Sequence, residues 1–374
     1  MTLAETLPAD VEQGGAPAQT MLIDCDVHEG LKSIEQLVPY LDPHSRRLTQ
    51  HYGGWVASNP NGFPYVVPME SKAVARMEWE LTDGTVGTEL DAMRTQLFEG
   101  EGVSRAIING FSYFSARAAS YEFATALSSA YNDWQIEHWL NQDDRIYGSV
   151  HVVANDPQAA VREIDRVAAH PQIVQVFLPL VTDRQFGDPI YRPIFEAAAR
   201  NDLVVAFHHG AHTETLFGWP RYYIEWHMVA APQSAQNQLL SLICNGVFDQ
   251  LPELKVVFME TGVAWMPWFM WRLDQQYREL RSEIPWVKRL PSEHMKDSVR
   301  ICTQPLGDIT PRQFTQLVEM ADSERIFLFA SDYPHYDADS VDVVLKSSIP
   351  EGLRNRVRYQ NALETYPRLR GLIG

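Results

Sequence analysis

The feature that most constrains the fold of this sequence is a repeated alternation of short apolar runs with longer segments of helical periodicity. Eight apolar runs rich in Val, Ile and Phe occur from Met21 onward, which is the pattern of βαβ units around a parallel sheet. Several are almost continuously apolar, as strands buried on both faces should be. Eight repeats predict closure into a (β/α)8 TIM barrel. The predicted strands are Met21–His28, Val103–Asn109, Ile146–Val153, Ile173–Leu178, Leu203–His208, Lys255–Glu260, Val299–Thr303 and Ile326–Ser331.

The segments between the predicted strands carry helix-start signals. Several have Pro in the first turn with an acidic residue close by. A doubly wound open sheet is the alternative fold, but no strand is followed by a G-x-G-x-x-G loop or a P-loop, so the barrel is favoured. The predicted helices are Tyr121–Asn141, a segment after Asp156-Pro157, Pro189–Arg200, Gln233–Asn245, Trp265–Arg281, Pro311–Met320 and Asp339–Ser347.

The interval from Gly30 to Glu101 is the exception to this alternation. It is rich in Pro and Gly, including Asn59-Pro60-Asn61-Gly62, and has only modest periodicity, so it predicts an irregular insertion over about residues 30–101. In a barrel this insertion would emerge at the catalytic face, as a lid or substrate wall or only as a packing flap. No repeat or linker divides the rest, which predicts a single domain over residues 21–374.

Composition limits the classes of function. The 374 residues carry 48 Asp and Glu against 31 Lys and Arg, and no basic run occurs, so nucleic acid and anionic membranes are poor partner candidates. Residues 1–20 contain no Lys or Arg and no apolar stretch, which predicts a disordered or loosely docked leader rather than a signal peptide. Three cysteines without C-x-x-C spacing favour a reducing, cytoplasmic location. A small-molecule substrate is the expected partner.

Polar residues at the ends of three predicted strands form a candidate metal site. Asp26 and His28 lie two apart, so they share one face of strand one. The pair His208-His209 lies at the end of strand five, with one of the two facing inward, and Asp332 directly follows strand eight. A lone His is more often a hydrogen-bonded rim residue. However, strand ends converge at a barrel mouth, and together these residues supply a mixed nitrogen and oxygen set suited to Zn2+, Mn2+ or Fe2+.

The same residues resemble a known family. Asp26-Val27-His28, a His after strand five and the run Ser331-Asp332-Tyr333-Pro334-His335 are similar to the amidohydrolase superfamily, in its branch of aminocarboxymuconate-semialdehyde and γ-resorcylate decarboxylases. The resemblance covers nearly the whole chain from Met21 and favours His208 over His209, because the family pattern there is His-x-Gly or His-Pro and Phe207-His208-His209-Gly210 fits the first form. Further similar segments are Gly246-Val247-Phe248-Asp249, Leu251-Pro252-Glu253-Leu254-Lys255, Pro267, Arg272-Leu273-Asp274 and Asn361-Ala362.

The resemblance implies a ligand set of Asp26, His28, His208 and Asp332 around one divalent metal ion. Binuclear members carry a carboxylated Lys on strand four, but Ile173–Leu178 contains no Lys, so a mononuclear site is expected. Zn2+ is the first expectation for the ion, with Mn2+ or Fe2+ as alternatives. Related barrels also imply a homo-oligomer, either a dimer or a tetramer.

The sequence departs from the family at strand six, where a His-Gly-Gly element is expected and Met259-Glu260-Thr261-Gly262 is found. Glu260 is predicted to replace the missing His as a general acid or base, or else to orient a ligand or pair with an arginine. The helical spacing of Trp265, Met266, Trp268 and Trp271 predicts packing against the barrel, with an aromatic substrate shelf as the alternative. Candidate substrate contacts, each with rim packing or structural pairing as the alternative, are His151, His227, Arg272, Gln304 and His335.

The leading functional hypothesis is a carbon–carbon lyase that removes CO2 from a small aromatic or unsaturated carboxylic acid. Asp332, alone or with Glu260, would protonate the carbon that loses CO2. The alternative is hydrolysis of an amide, ester or lactone by metal-activated water, with Asp332 as the base, and a hydratase is a further possibility. A non-catalytic binding barrel is disfavoured, because no structural need places these four residues at strand mouths.

Overall fold

Eight parallel strands form one sheet, in sequence order from β1 to β8. The computed structural model describes residues 21–58, 76–110, 120–209 and 222–373. The chain after β8 hydrogen-bonds to β1, with Cys25 N donating to Phe329 O and Asp332 N to Asp26 O, both at 3.0 Å. The predicted (β/α)8 barrel is therefore confirmed. The strands are β1 Ile23–Val27, β2 Arg105–Ile108, β3 Ile146–His151, β4 Ile173–Pro179, β5 Val204–His208, β6 Val256–Met259, β7 Val299–Cys302 and β8 Phe327–Leu328.

Helices surround this barrel, and each predicted helix has a counterpart. The prediction Asp339–Ser347 was too long, because only Val341–Val344 is helical there. Among the described residues, no helix is long and apolar enough to cross a membrane. The helices are α1 Pro43–Ser58, α2 Leu90–Met93, α3 Tyr121–His138, α4 Pro157–Val167, α5 Arg192–Arg200, α6 Tyr223–Cys244, α7 Val247–Gln250, α8 Trp265–Leu280, α9 Pro291–Ser298, α10 Pro311–Ala321, α11 Val341–Val344, α12 Glu351–Asn355 and α13 Asn361–Thr365.

Short 3-10 and π-helical segments complete the structure, several of them between β1 and β2. This interval also contains α1 and α2, while residues 59–75 lie outside the described ranges. The predicted leader at residues 1–20 lies outside them as well, and the single-domain boundaries remain a prediction. The 3-10 segments are Ile34–Tyr40, Met77–Trp79, Leu140–Gln142, Pro189–Tyr191, Arg281–Glu283 and Pro367–Ile373, and the π-helical segments are Arg94–Gly100 and Arg356–Gln360.

Two apolar clusters explain why the strands are apolar at nearly every position. The larger cluster packs the outer strand faces, such as Phe207 and Phe258, against the helices. The smaller one takes the alternate residues, such as Ala206 and Met259, together with Tyr366 near the C-terminus. Since side chains alternate along a strand, the smaller cluster fills the barrel and brings the next residue of the same parity in β5, His208, to the mouth.

One part of α8 differs from the prediction. Met266 and Met270 are buried, whereas Trp268 and Trp271 are 58% and 54% exposed. Residues 266 and 270 are one turn apart and so share a face, while the tryptophans lie on a different face that turns away from the barrel. Packing of these two tryptophans against the barrel was therefore wrongly predicted.

The guanidinium of Arg368 holds the C-terminal segment against the barrel. It donates to the backbone carbonyls of Ala168, His170, Ile173 and Asn201 at distances between 2.8 and 3.2 Å. These carbonyls come from the segment after α4, the start of β4 and the segment after α5. One side chain thus links three segments that are distant from it in sequence.

We expect Arg368→Ala to lower the free energy of unfolding by about 3 kcal/mol, because hydrogen bonds from a charged group are lost and carbonyls are left unsatisfied. Urea denaturation followed by circular dichroism measures the change. Arg370→Ala is the control, since exposed Arg370 makes one bond, to Glu364 O at 3.2 Å. Equal stability of the two variants would contradict this role for Arg368.

Candidate metal centre

Four potential ligands meet at the carboxyl ends of the strands. Asp26, His28, His208 and Asp332 each offer a ligand atom, and these atoms all lie within 4.8 Å of one another. All four side chains are fully buried. They come from β1 and the residue that follows it, from β5 and from the segment after β8, so closure of the barrel brings together residues more than 300 positions apart. The predicted ligand set is therefore assembled in one place.

Both histidines are oriented for metal binding through Nε2. The Nδ1–H of His28 donates to the Gly110 carbonyl at 2.7 Å, and the Nδ1–H of His208 donates to the carbonyl of His209. With the proton on Nδ1, each Nε2 presents its lone pair to the cluster. The Nε2 of His28 lies 3.4 Å from Asp26 Oδ1 and 3.0 Å from Asp332 Oδ1. The backbone thus selects the tautomer that a metal ligand requires.

The two carboxylates have capacity left for a cation. Asn109 Nδ2 donates to Asp26 Oδ1 at 2.7 Å, but Asp26 Oδ2 and Asp332 Oδ2 are buried without a hydrogen-bond partner among the described residues. A buried charged oxygen without a donor is costly. Metal coordination would remove that cost, so the donor set fits a divalent cation.

The electrostatics of the cluster also favour added positive charge. Burial alone would lower the pKa of His28, but the hydrogen bond to Asp332 and the charge of Asp26 raise it to about 10. Burial, with a further contribution from the charge of Asp332, raises the pKa of Asp26 well above its ordinary value. The shift of His28 reflects the neighbouring carboxylates, whereas that of Asp26 mainly reflects the cost of holding a charge in a buried site. A bound divalent cation would balance the negative charge of these carboxylates.

Glu260 lies directly beside the four ligands. Its Oε2 is 3.7 Å from His208 Nε2, and its Oε1 is 3.3 Å from His227 Nε2. The side chain is 10% exposed. The backbone φ angles of Glu260 and Asp332 are 51° and 61°, in the left-handed region that non-glycine residues rarely adopt. Strain of this kind is often found at functional sites.

His335 and His227 approach the cluster from the mouth. His335 Nδ1 bonds to Asp332 Oδ1 at 2.7 Å, and its ring centroid is 4.8 Å from that of His28. His227, from α6, contacts Glu260 and lies 3.7 Å from Asp337 Oδ2. Burial alone would lower the pKa of His227, but Glu260 and Asp337 raise it. The structure therefore places both predicted substrate contacts beside the candidate centre.

Of the other predicted substrate contacts, His151 and Gln304 are buried and Arg272 is exposed. His151 is buried, 4.9 Å between ring centroids from Phe177, whose ring is 5.5 Å from His208. Burial lowers the pKa of His151 to about 3, so it is neutral near pH 7. Gln304 is buried and donates to Asp337 O at 3.4 Å. Arg272 instead lies on the exposed face of α8, where it donates to Gln275 Oε1 at 2.9 Å.

Residues at the end of β2 hold the β1 ligands, and sequence reasoning missed them. Asn109 bonds to Asp26, and its Oδ1 accepts from Ser149 Oγ at 2.8 Å and Gln175 Nε2 at 2.6 Å. The adjacent Gly110 accepts from His28. A buried Asn-Gly pair at a predicted strand end was the available signal. Its partners were not readable, because β1 and β2 are separated by the long insertion.

Comparison with known proteins identifies the family. A protein-family model described as amidohydrolase matches residues 23–368. The chain belongs to the amidohydrolase family. The γ-resorcylate decarboxylase of Polaromonas sp. is 22% identical over 288 residues, which are 73% of this chain and 86% of that protein. The 6-methylsalicylic acid decarboxylase of Penicillium expansum is 23% identical over 194 residues, 50% of this chain and 57% of that protein.

Solved structures of amidohydrolases share the barrel. A 5-carboxyvanillate decarboxylase from Novosphingobium aromaticivorans, complexed with manganese and 4-hydroxy-3-methoxy-5-nitrobenzoic acid, superimposes with a TM-score of 0.68 at 18% identity, over 97% of this chain and 100% of that one. An amidohydrolase from Mycobacterium avium subsp. paratuberculosis gives a TM-score of 0.70 at 20% identity, over 92% and 98%. At these identities the likeness concerns the fold.

Substitution of a residue that contacts a metal ligand, but not the metal, weakens metal binding by up to roughly 100-fold. We expect Asp332→Ala to weaken divalent-metal binding by more than this, because it removes a ligand itself. The purified wild-type protein should contain about one metal ion per chain by elemental analysis, and a chelator should lower its melting temperature, since a ligand of the native state stabilises it. Arg272→Ala, on the exposed face of α8, is the control and should keep the metal. Equal metal content in the Asp332→Ala variant and the wild type would contradict the assignment.

Proposed function

We propose that this chain is a metal-dependent, non-oxidative decarboxylase of a small aromatic carboxylic acid. The observation that carries the proposal is the buried cluster of two carboxylates and two imidazoles with a further carboxylate, Glu260, at its edge. Such a site can bind an anionic substrate through a cation and still offer a nearby group for proton transfer. The two decarboxylases that the chain resembles support this choice.

Asp26, His28, His208 and Asp332 would hold the ion. When bound, a divalent cation supplies Lewis-acid charge for the substrate carboxylate and a neighbouring oxygen. Zn2+ is the ion we propose first, with Mn2+ or Fe2+ as alternatives that suit the same donor set. Mn2+ is the ion in the solved relative, so metal analysis decides between them. The Nδ1 bonds of the two histidines keep the ligands fixed, which limits reorganisation during the reaction.

The chain's own residues supply the proton. Loss of CO2 breaks the bond between the ring carbon and the carboxyl carbon, and the ring carbon gains one proton in place of the carboxyl group. Asp332 and Glu260 are the carboxyl groups assigned to this transfer. His335 contacts Asp332 at 2.7 Å, and His227 contacts Glu260 at 3.3 Å. Each assigned carboxyl group thus has a histidine on its outer side through which a proton can be replaced.

The remaining expectations complete the proposal. Substrate would contact His227, His335, His151 and Gln304, whereas exposed Arg272 is assigned a surface role. A homo-oligomer remains a prediction.

Hydrolysis of an amide, ester or lactone is the second candidate function, because the family model that matches the chain is described as amidohydrolase. The same four ligands would serve it, with Asp332 accepting a proton from water.

Substrate panels separate these two functions. We expect the metal-loaded protein to release CO2 from at least one hydroxybenzoate, and to leave small amides, esters and lactones unchanged, because we assign Asp332 and Glu260 to protonation of the ring carbon. Liquid chromatography and a coupled CO2 assay measure both reactions, with Asp332→Ala as the inactive control. Turnover restricted to amides, esters or lactones would refute decarboxylation.

We expect Glu260→Gln to lower kcat by about 100- to 10,000-fold, the usual size of a general acid–base contribution, while metal content stays at the wild-type value. The amide keeps the size of the side chain but cannot carry the proton. Asp274→Asn provides a matched control, because Asp274 bonds to Ser292 on α9. An unchanged kcat in Glu260→Gln would refute proton transfer by this carboxylate and would mean that it only orients a ligand.

A further inference from the structure

Glu29 is a buried carboxylate next to the candidate ligands that does not belong to the cluster. Its side chain is 0% exposed. Oε2 accepts from Gly110 N at 2.7 Å, while Oε1 accepts from the Tyr131 hydroxyl at 2.8 Å and from Gln135 Nε2 at 2.6 Å. Among the described residues, it forms no ion pair with a lysine or arginine. Burial of a carboxylate with only neutral donors costs stability, which points to a role other than holding the fold together.

Gly110 connects Glu29 to His28. Its N–H donates to Glu29, and its carbonyl accepts from His28 Nδ1 at 2.7 Å. The φ angle of Gly110 is 65°, and a Cβ there would lie 2.2 Å from the Tyr131 hydroxyl oxygen. Only glycine fits this position, so one backbone residue is held on one side by the carboxylate and on the other by the imidazole.

We propose that Glu29 is a positioning residue that acts through Gly110 on His28 and thereby sets the affinity of the centre for its divalent cation. The inference rests on the proposed metal-dependent function. In many metal sites a carboxylate bonds directly to the outer nitrogen of a ligating His, which fixes the tautomer and raises the basicity of the ligating nitrogen. Here a glycine stands between the two groups. By accepting from the Gly110 N–H, Glu29 fixes the backbone that presents the Gly110 carbonyl to His28 Nδ1.

Glu29→Gln tests this role, because glutamine keeps the shape but lacks the charge and has one acceptor oxygen instead of two. If that oxygen faces Gly110, the amide N–H groups face Gln135 Nε2, which is itself a donor. We expect Co2+ affinity, measured by competition with a chromogenic chelator, to fall about 10- to 100-fold. The visible absorption of bound Co2+ should change as well. Asp274→Asn, another buried carboxylate, should keep the wild-type affinity and spectrum.

The outcomes distinguish this inference from the proposed function. A wild-type protein that binds no Co2+, Zn2+ or Mn2+ would contradict the metal-dependent function itself. A wild-type protein that binds Co2+, with a folded Glu29→Gln variant of equal affinity and spectrum, would overturn only the role of Glu29. If Glu29→Gln fails to fold, Tyr131→Phe tests the same role, because it removes the hydroxyl that donates to Glu29 Oε1. A reduced Co2+ affinity in Tyr131→Phe is then expected, and an unchanged affinity overturns the inference.

Discussion

Charge balance at the barrel mouth is the constraint on which the rest of the site depends. Asp26 and Asp332 are fully buried within one small cluster, and Glu260 lies at its edge. Buried carboxylates are tolerated when positive charge or several donors surround them. Among the described residues, these three carboxylates contact histidines and one asparagine, and none of them forms an ion pair with a lysine or arginine. A divalent cation is therefore the simplest source of the missing charge.

The surrounding polar residues follow from the same constraint. Asn109 bonds to Asp26 through its amide nitrogen and is itself fixed by Ser149 and Gln175. These groups are neutral, so they orient the Asp26 carboxylate without neutralising its negative charge. A lysine or arginine at the same place would satisfy the carboxylate and weaken its attraction for a metal ion. Neutral donors inside the barrel are thus consistent with a centre built to bind a cation.

The sequence predicted the barrel and the meeting of the ligands for a physical reason. Parallel strands are buried on both faces, so each leaves a readable apolar run, and β4 and β5 were found almost to the residue. Once eight strands are known, their carboxyl ends must converge, and Asp26, His28 and Asp332 follow from position alone. The choice of His208 came from family resemblance, and His208 is the histidine of the pair that lies in the cluster.

What the sequence did not predict depends on contacts between distant segments. Helical spacing located an apolar face on α8 but did not reveal that Trp268 and Trp271 point away from the barrel, since periodicity identifies faces and not neighbours. Likewise, the sequence does not reveal that Glu29 and Gly110 meet, because their contact exists only where β2 pairs with β1 across the insertion. Hydrogen-bond networks of this kind can be recognised only when the pairing of the strands in three dimensions is known.

The backbone at Glu260 and Asp332 gives a further reason to place chemistry at these two residues. Four described non-glycine residues have positive φ, and Asp202 and Asp322 lie in turns directly after helices. Glu260 and Asp332 instead follow barrel strands and face the candidate centre. Glycine would adopt the same backbone without strain, whereas a side chain there costs of order 1–3 kcal/mol. A carboxylate at each of these positions therefore lowers the stability of the fold relative to glycine. This pattern is expected where the side chain is needed for the reaction rather than for the fold.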